Sequence, residues 1–364
     1  MDYMKQALSL AELAMGQVSP NPAVGAVVVK DDKVIGQGYT QSPGSSHAEI
    51  VALKQAGKEA RNGVLYVTLE PCCHYGLTPP CTQVIINAGI TEVHIAILDV
   101  NPLVSGRGKD ELESRGIKVY LGEHEEEASK IIEAYAKFIT TGMPFVTVKY
   151  AMSLDGKIAT KSGDSKWISG EASRKYVHNL RCVSDALMVG VNTVIFDNPR
   201  LTARCCGSKG GVARKQPLRV LLDTKGRIPL DSKIFKEPGE ILMAVGQSVA
   251  PDKKILFIEA GVQLLELPVR GKGLDLEKLL KALGERKITS VVVEGGGILL
   301  GSLFDCKLVD KVIAFIAPII IGGQEAKMAV CGEGVANVAN SFNLKRISTE
   351  KFGSDLMVSG YIEG

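Results

Sequence analysis

The chain has 364 residues, 45% of them hydrophobic, and a formal net charge of +3. That length exceeds what a single hydrophobic core organises, so two domains are expected. Scattered Arg and Lys with no long like-charge run do not suggest a nucleic-acid groove, and no stretch approaches the ~18 apolar residues of a membrane span. The start, Met1-Asp2-Tyr3-Met4-Lys5-Gln6, is acidic and polar where a secretory signal would be basic and then apolar. The expectation is a cytoplasmic protein with a small-molecule partner, no nucleic acid and no membrane.

In chain order, Met4, Leu8, Ala11 and Met15 fall at helical spacing over residues 2 to 16, and Ser19-Pro20-Asn21-Pro22 stops the pattern. A strand-like run, Val24 to Val29, turns at Asp31-Asp32 and returns as Val34 to Tyr39. His47 opens an apolar-periodic helix to about Ala60, followed by a buried strand, Val64 to Leu69. A helix begins near Cys81 and ends at Ala88, and Val93 to Leu98 is a further strand. The alternation predicts a three-layer α/β domain. An acidic helical stretch, 123 to 141, leads to Thr140-Thr141-Gly142-Met143-Pro144, the best domain boundary, which divides the chain into residues 1–143 and 144–364.

Beyond it the short apolar runs Phe145 to Met152, Ala186 to Gly190, Arg219 to Asp223, Ile241 to Val245, Ile255 to Ile258, Val291 to Glu294 and Val312 to Ile316 read as strands. Helical patterns at 171 to 181, 274 to 286 and 298 to 304 separate some of them. A second α/β unit follows, with a mostly parallel sheet and an antiparallel C-terminal edge from Leu356 to Ile362.

Eight cysteines are clustered (Cys72, Cys73, Cys81) or dispersed (Cys182, Cys205, Cys206, Cys306, Cys331), which in a large chain without a secretory start fits metal binding or reduced thiols better than disulfides. Cys182, Cys306 and Cys331 are expected as buried small residues, and Cys205-Cys206 as exposed loop.

His47-Ala48-Glu49, then Pro71-Cys72, then Cys81 is the pattern that carries chemistry. One imidazole and two thiolates suit zinc, and three protein ligands leave its fourth position to a water whose pKa falls toward about 7. Base deaminases of the His-x-Glu…Pro-Cys-x-x-Cys type use such a site, with the glutamate as acid/base and not as a ligand. Here eight residues separate the two cysteines instead of two. The reading is His47, Cys72 and Cys81 as ligands and Glu49 as proton carrier. Both half-sites sit at helix starts, which favour thiolate. Adjacent Cys73 is read as packing, and His74 competes for the metal; with His74 as fourth ligand the site would be closed and only structural. Asn21 either forms a turn or offers its amide to a heterocycle edge.

With Asn21-Pro22-Ala23-Val24-Gly25-Ala26-Val27, the His47 and Glu49 motif, Pro71-Cys72-Cys73-His74-Tyr75-Gly76-Leu77-Thr78-Pro79-Pro80-Cys81 and Asn101-Pro102-Leu103-Val104-Ser105-Gly106-Arg107-Gly108, the chain resembles the bifunctional riboflavin biosynthesis deaminase/reductase family over nearly its whole length. The long cysteine spacing is that family's own. The resemblance implies a cytidine-deaminase-like three-layer α/β/α domain with one zinc ion, which removes the 2-amino group of a diaminopyrimidinone ribosylamino phosphate. Thr40 stands where histidine is usual, Leu77 where a basic residue is usual, and Val100 where proline is common.

In the second half, Lys149 to Thr160 runs from a strand into a polar turn, Ser165-Lys166-Trp167-Ile168-Ser169 follows, and Arg174, Arg181 and Asp197-Asn198-Pro199-Arg200-Leu201-Thr202-Ala203-Arg204 supply planar donors suited to phosphate. Glu294-Gly295-Gly296-Gly297-Ile298-Leu299-Leu300-Gly301-Ser302 leads from a strand into a helix, either as a tight connection or as a pyrophosphate cradle. The family resemblance implies a dihydrofolate-reductase-like α/β domain using NADPH. By position, Ala151, Trp167, Thr193, Asp197, Thr224, Gly296, Gly297, Ile298, Leu299, Leu300, Gly301 and Ser302 would contact NADPH. Ser165, Arg181, Leu201, Arg204 and Glu294 would contact the substrate. The implied step turns ribosylamino into ribitylamino, with Asp197, Glu294 and water all open as proton donor. A homo-oligomer is the expected assembly.

Two other readings stand beside this one. A deaminase of a different substrate, tRNA adenosine included, would carry an unrelated C-terminal half. A zinc-stabilised binding protein would keep the nucleotide site and catalyse nothing. Glu49 separates the enzyme from the binding protein.

Overall fold

The computed structural model describes residues 1–75, 79–204, 215–271 and 273–362, which leaves Leu77, Cys205 and Cys206 outside the described residues. These form two compact units that meet in sequence between Met143 and Pro144.

The first unit opens with α1 (Tyr3–Ala14), whose N-terminus is capped by the Asp2 carboxylate accepting the Lys5 N–H at 2.8 Å. Then come β1 (Gly25–Lys30), β2 (Lys33–Tyr39), α2 (Ala48–Ala56) with a closing 3-10 turn to Ala60, β3 (Val64–Val67), α3 (Cys81–Ala88), β4 (Glu92–Ile95), α4 (Arg107–Ser114), β5 (Lys118–Leu121) and α5 (Glu125–Thr141). The sheet order is β2-β1-β3-β4-β5, antiparallel at β1 and parallel from β3 to β5. β1 is apolar up to its last residue, Lys30, because both its faces are covered. Val27 and Val29 pack with Met4, Leu8 and Ala128 from α1 and α5, while Ala26 and Val28 pack with Ala48, Ala52 and Ile85 from α2 and α3. Helix, sheet, helix is the three-layer arrangement.

The second unit begins with β6 (Phe145–Ser153), β7 (Lys157–Ala159), α6 (Glu171–Cys182), β8 (Ala186–Gly190), α7 (Val191–Asp197), β9 (Leu218–Asp223), β10 (Ile241–Gly246) and α8 (Pro251–Glu259). It continues with β11 (Gln263–Leu267), the short β12 (Val269–Arg270) and β13 (Gly273–Leu274), α9 (Leu276–Glu285), β14 (Ser290–Val293), α10 (Gly297–Asp305), β15 (Lys311–Ala317), the short β16 (Lys327–Met328), β17 (Leu344–Phe352) and β18 (Asp355–Ile362). Its main sheet runs β11-β10-β9-β8-β14-β6-β15-β18-β17, parallel from β11 to β15 and antiparallel beyond.

Several expectations change. Ile255 to Ile258 is not a strand but the middle of α8, which starts on Pro251 and buries only Phe257 of that apolar run; the strand is the next segment, β11. β18 is antiparallel to β15 as expected, but it is not the edge, because the charged and mostly exposed β17 lies outside it. Cys306 and Cys331 are exposed, one just past α10 and the other in the loop after β16, so neither sits on the buried face of an element. Cys182 is buried as expected, yet it is disulfide-bonded and not a reduced thiol. Among the described residues no helix is long and apolar enough to cross a membrane.

Candidate active sites

In the first unit His47 is the N-cap of α2, Cys81 is the first residue of α3, and Cys72 lies in the turn after β3. His47 Nδ1 is 3.6 Å from the Cys72 Sγ and 3.3 Å from the Cys81 Sγ, and the three donor atoms lie within 4.8 Å of one another. The Cys81 backbone N–H donates to the Cys72 sulfur at 3.4 Å, so the start of α3 itself favours a thiolate there. A hydrogen bond from the Cys81 thiol draws Cys72 toward the thiolate, and the same bond holds Cys81 as the thiol. The pair therefore shares one proton that a dication would displace. One imidazole nitrogen and two sulfurs at this spacing fit the N/S donor set that zinc prefers.

His47 and Cys72 open onto a cavity of about 290 Å³ whose wall also includes Asn21, Thr40, Glu49, His74, Asp99 and Tyr135, while Cys81 is fully buried beside them. Glu49, in the first turn of α2, is buried, and that burial is the main reason its pKa is raised. The opposite wall is tied to the metal turn by Glu70. Its buried carboxylate accepts the N–H groups of Asp99 at 3.1 Å, Gly106 at 2.9 Å and Lys109 at 3.0 Å. Asp99 in turn accepts the Tyr135 hydroxyl at 3.1 Å, and burial raises its pKa. Glu70, Asp99 and Tyr135 were not legible as site residues. Glu70 reads as a strand end, and Tyr135 as one apolar position of an amphipathic helix.

The remaining residues singled out from sequence fall as follows. Asn21 closes a turn on the Val18 carbonyl at 2.8 Å, and it also lines the cavity. His74 is on the wall with its Nδ1 buried and unpartnered, and it is not among the three clustered donors. Cys73 points its sulfur at the Leu103 carbonyl, 3.7 Å away. Thr40 is buried and accepts the Val24 N–H at 3.1 Å.

In the second unit the densest polar cluster joins α6, β6 and the end of β14. Arg181 grips Glu294 with two bonds, Nε to Oε1 at 2.5 Å and Nη2 to Oε2 at 2.9 Å, and it donates to the Thr202 carbonyl at 3.1 Å. Burial alone would raise the Glu294 pKa, but the Arg181 guanidinium and the Lys149 ammonium, 4.0 Å away, hold it down to about 2. Burial pushes the Lys149 pKa down. Lys149 had appeared in the sequence only as part of a strand-to-turn motif. The Ser165 hydroxyl donates to Asp197 at 2.9 Å, and the Gly296 N–H donates to the Thr193 hydroxyl at 3.2 Å. Ala151 is on β6, Thr224 follows β9, and Arg204 reaches Thr202 Oγ1 at 3.5 Å. Trp167 is 73% exposed, with the Arg174 guanidinium 4.7 Å from its ring centre.

The glycine run divides in two. A Cβ on Gly301 would lie 1.8 Å from the Cys331 carbonyl oxygen, and one on Gly297 2.4 Å from that of Met328. On their Cβ side those two glycines admit the neighbouring segment of the chain. Gly296 has nothing nearer than Thr193 Oγ1 at 3.7 Å, so the open part of the turn is there. Leu201, Leu299 and Leu300 are buried.

The chain matches the family model described as the cytidine and deoxycytidylate deaminase zinc-binding region over residues 1–97 and that of the RibD C-terminal domain over residues 144–358. It is 43% identical to the riboflavin biosynthesis protein RibD of Aquifex aeolicus, covering 98% of this chain and 97% of that one, and 36% identical to RibD of Escherichia coli, covering 97% of each. Among solved structures, Acinetobacter baumannii RibD superposes with a TM-score of 0.85 at 35% identity, over 100% of this chain and 98% of that one. The Thermotoga maritima diaminohydroxyphosphoribosylaminopyrimidine deaminase/5-amino-6-(5-phosphoribosylamino)uracil reductase superposes at 0.84 with 36% identity, over 99% and 98%.

Proposed function

Because the chain belongs to the RibD family of bifunctional riboflavin biosynthesis enzymes, a zinc-dependent deaminase joined to an NADPH-dependent reductase, we propose which of its residues carry each step. Residues 1–143 are assigned as the deaminase domain and 144–364 as the reductase domain.

His47, Cys72 and Cys81 would hold the zinc, which would supply an activated water beside the ring carbon that carries the amine. Glu49 takes a proton from that water and delivers it to the nitrogen, which leaves as ammonia; its raised pKa suits a group that both accepts and donates. Asn21, Asp99 and Tyr135 present donors and acceptors to the heterocycle, and Glu70 keeps their wall at a set distance from the metal turn. The observation that carries this half is a cluster of one nitrogen and two sulfurs at the edge of a cavity that the buried Glu49 also lines.

In the second unit NADPH supplies the two electrons and the protein orients both partners. Gly296, with Thr193 behind it, receives the cofactor's phosphates, and Ala151, Trp167, Asp197 and Thr224 complete the cofactor groove. Ser165, Arg181, Arg204, Glu294 and the Leu201 backbone hold the phosphorylated substrate. Opening the ribose while C1 is reduced requires a proton on the ring oxygen. Glu294, kept ionised by Arg181, is unsuited to give it, and Lys149, a buried ammonium with a lowered pKa, is the acid beside it.

The substrate is a phosphorylated pyrimidine ribosylamine, with no role for nucleic acid or a membrane, in a cytoplasmic homo-oligomer. The test is the purified full chain with the diaminopyrimidinone phosphate, reading ammonia and NADPH separately. Ammonia should appear first and NADPH oxidation should depend on the deaminated product; ammonia without NADPH oxidation would remove the reductase half of the reading.

A further inference from the structure

With the substrate held at the Arg181, Glu294 and Lys149 cluster of β6 and β14, as proposed above, a dinucleotide at the open glycine turn would place its nicotinamide end there and run the other way with its adenosine end. In the sheet, β8 follows β14 and β9 follows β8. Parallel neighbours lie roughly 4.8 Å apart, so the adenosine end, two strands along, falls about 10 Å away at the C-terminal end of β9.

That end carries a charge arrangement the reaction itself does not use. Asp223, the last residue of β9, is fully buried and accepts the Ile228 N–H through Oδ2 at 2.7 Å, while its Oδ1 makes no hydrogen bond and faces the Arg227 Nε at 4.0 Å. Arg227 Nη2 donates to the Asn192 side-chain oxygen on α7 at 3.3 Å. The guanidinium thus bridges the ends of β8 and β9. It is 49% exposed, and among the described residues its Nη1 has no partner. Its half-exposed charge is held by a buried anchor, and a guanidinium fork matches phosphate oxygens.

We propose that Arg227 reads the 2′-phosphate of the cofactor and so gives the second unit its preference for NADPH over NADH. This rests on the reading of the second unit as an NADPH-dependent reductase, and it adds the residue that tells the phosphorylated cofactor from the plain one.

The test is calorimetric binding of adenosine 2′,5′-bisphosphate and of adenosine 5′-monophosphate to the full chain. Wild type should hold the bisphosphate tighter. Arg227→Gln should weaken it roughly 10- to 100-fold, the scale of hydrogen bonds to a charged group, and leave the monophosphate unchanged. Arg227→Met, which keeps the apolar stem, is measured beside it with the thermal midpoint of each, so that a folding defect in one variant does not decide the matter. In turnover the KM for NADPH should rise while the KM for NADH and kcat stay. Equal weakening of both nucleotides, or of neither, overturns the assignment of Arg227. A wild-type chain that binds neither nucleotide and oxidises no NADPH overturns the reductase reading instead.

Discussion

In the proposed reaction Glu49 exchanges protons beside the metal without becoming its ligand, and the first turn of α2 places it two residues after His47 in the same cavity. Glu49→Gln keeps shape and burial but cannot carry a proton, so ammonia release should fall about 10²- to 10⁴-fold while zinc content, measured by atomic absorption, stays at one per chain. Glu294 supports a prediction on stability. Its folded pKa, about 2, lies below the ordinary 4.5, so its ion pair stabilises the second unit fully above pH 4.5 and is lost as pH falls toward 2. Acid unfolding followed by the fluorescence of Trp167, the single tryptophan, should show that loss. Glu294→Gln should remove this part of the pH dependence and, by leaving Arg181 buried without its charge partner, cost about 3–5 kcal/mol at neutral pH. At this scale the metal donors and Glu49 were legible because few residue types can do those jobs. Asp99 and Tyr135 were not, since a carboxylate and a phenol far apart in sequence announce nothing until the fold pairs them.

Among elements, α10 and its glycines show how one motif serves two ends. Gly301→Ala would press a methyl into the Cys331 carbonyl, and the overpacking should cost about 1–3 kcal/mol or more and lower the melting midpoint of the second unit. Gly296→Ala, at an ordinary φ of −72° with open space around it, should leave that midpoint unchanged and weaken NADPH binding, read as quenching of Trp167. If Gly296→Ala bound NADPH normally, the turn would be a connection and nothing more. The sequence showed strand, glycine turn and helix correctly but not which glycines abut the neighbouring segment and which face open space. Likewise Ile255 to Ile258 looked like a strand because a short apolar run has no period of its own, and Pro251 with three exposed apolar side chains makes it a surface helix. β17 escaped notice for the opposite reason: its exposed, charged residues leave no apolar alternation to read.

For the molecule as a whole, the two units hold sites that share no residue, so their losses should separate. Stripping zinc with a chelator should abolish ammonia release yet leave NADPH oxidation intact when the deaminated product is supplied, and parallel loss of both would show that zinc also supports the second unit. The order of apolar runs was enough to read an α/β chain in two parts, since burial on one or both faces leaves its period in the residues themselves. The sequence alone determined the chemistry of the first site as well, because imidazole, thiol and carboxylate in that order have little other use. Only the tertiary structure decided the second. Arg181 and Glu294 lie 113 positions apart, and nothing local marks them as a pair until adjacent parallel strands bring α6 and the end of β14 together. Arg227 is the same case, an unremarkable surface arginine in the sequence that becomes a phosphate reader only where β8 and β9 end side by side.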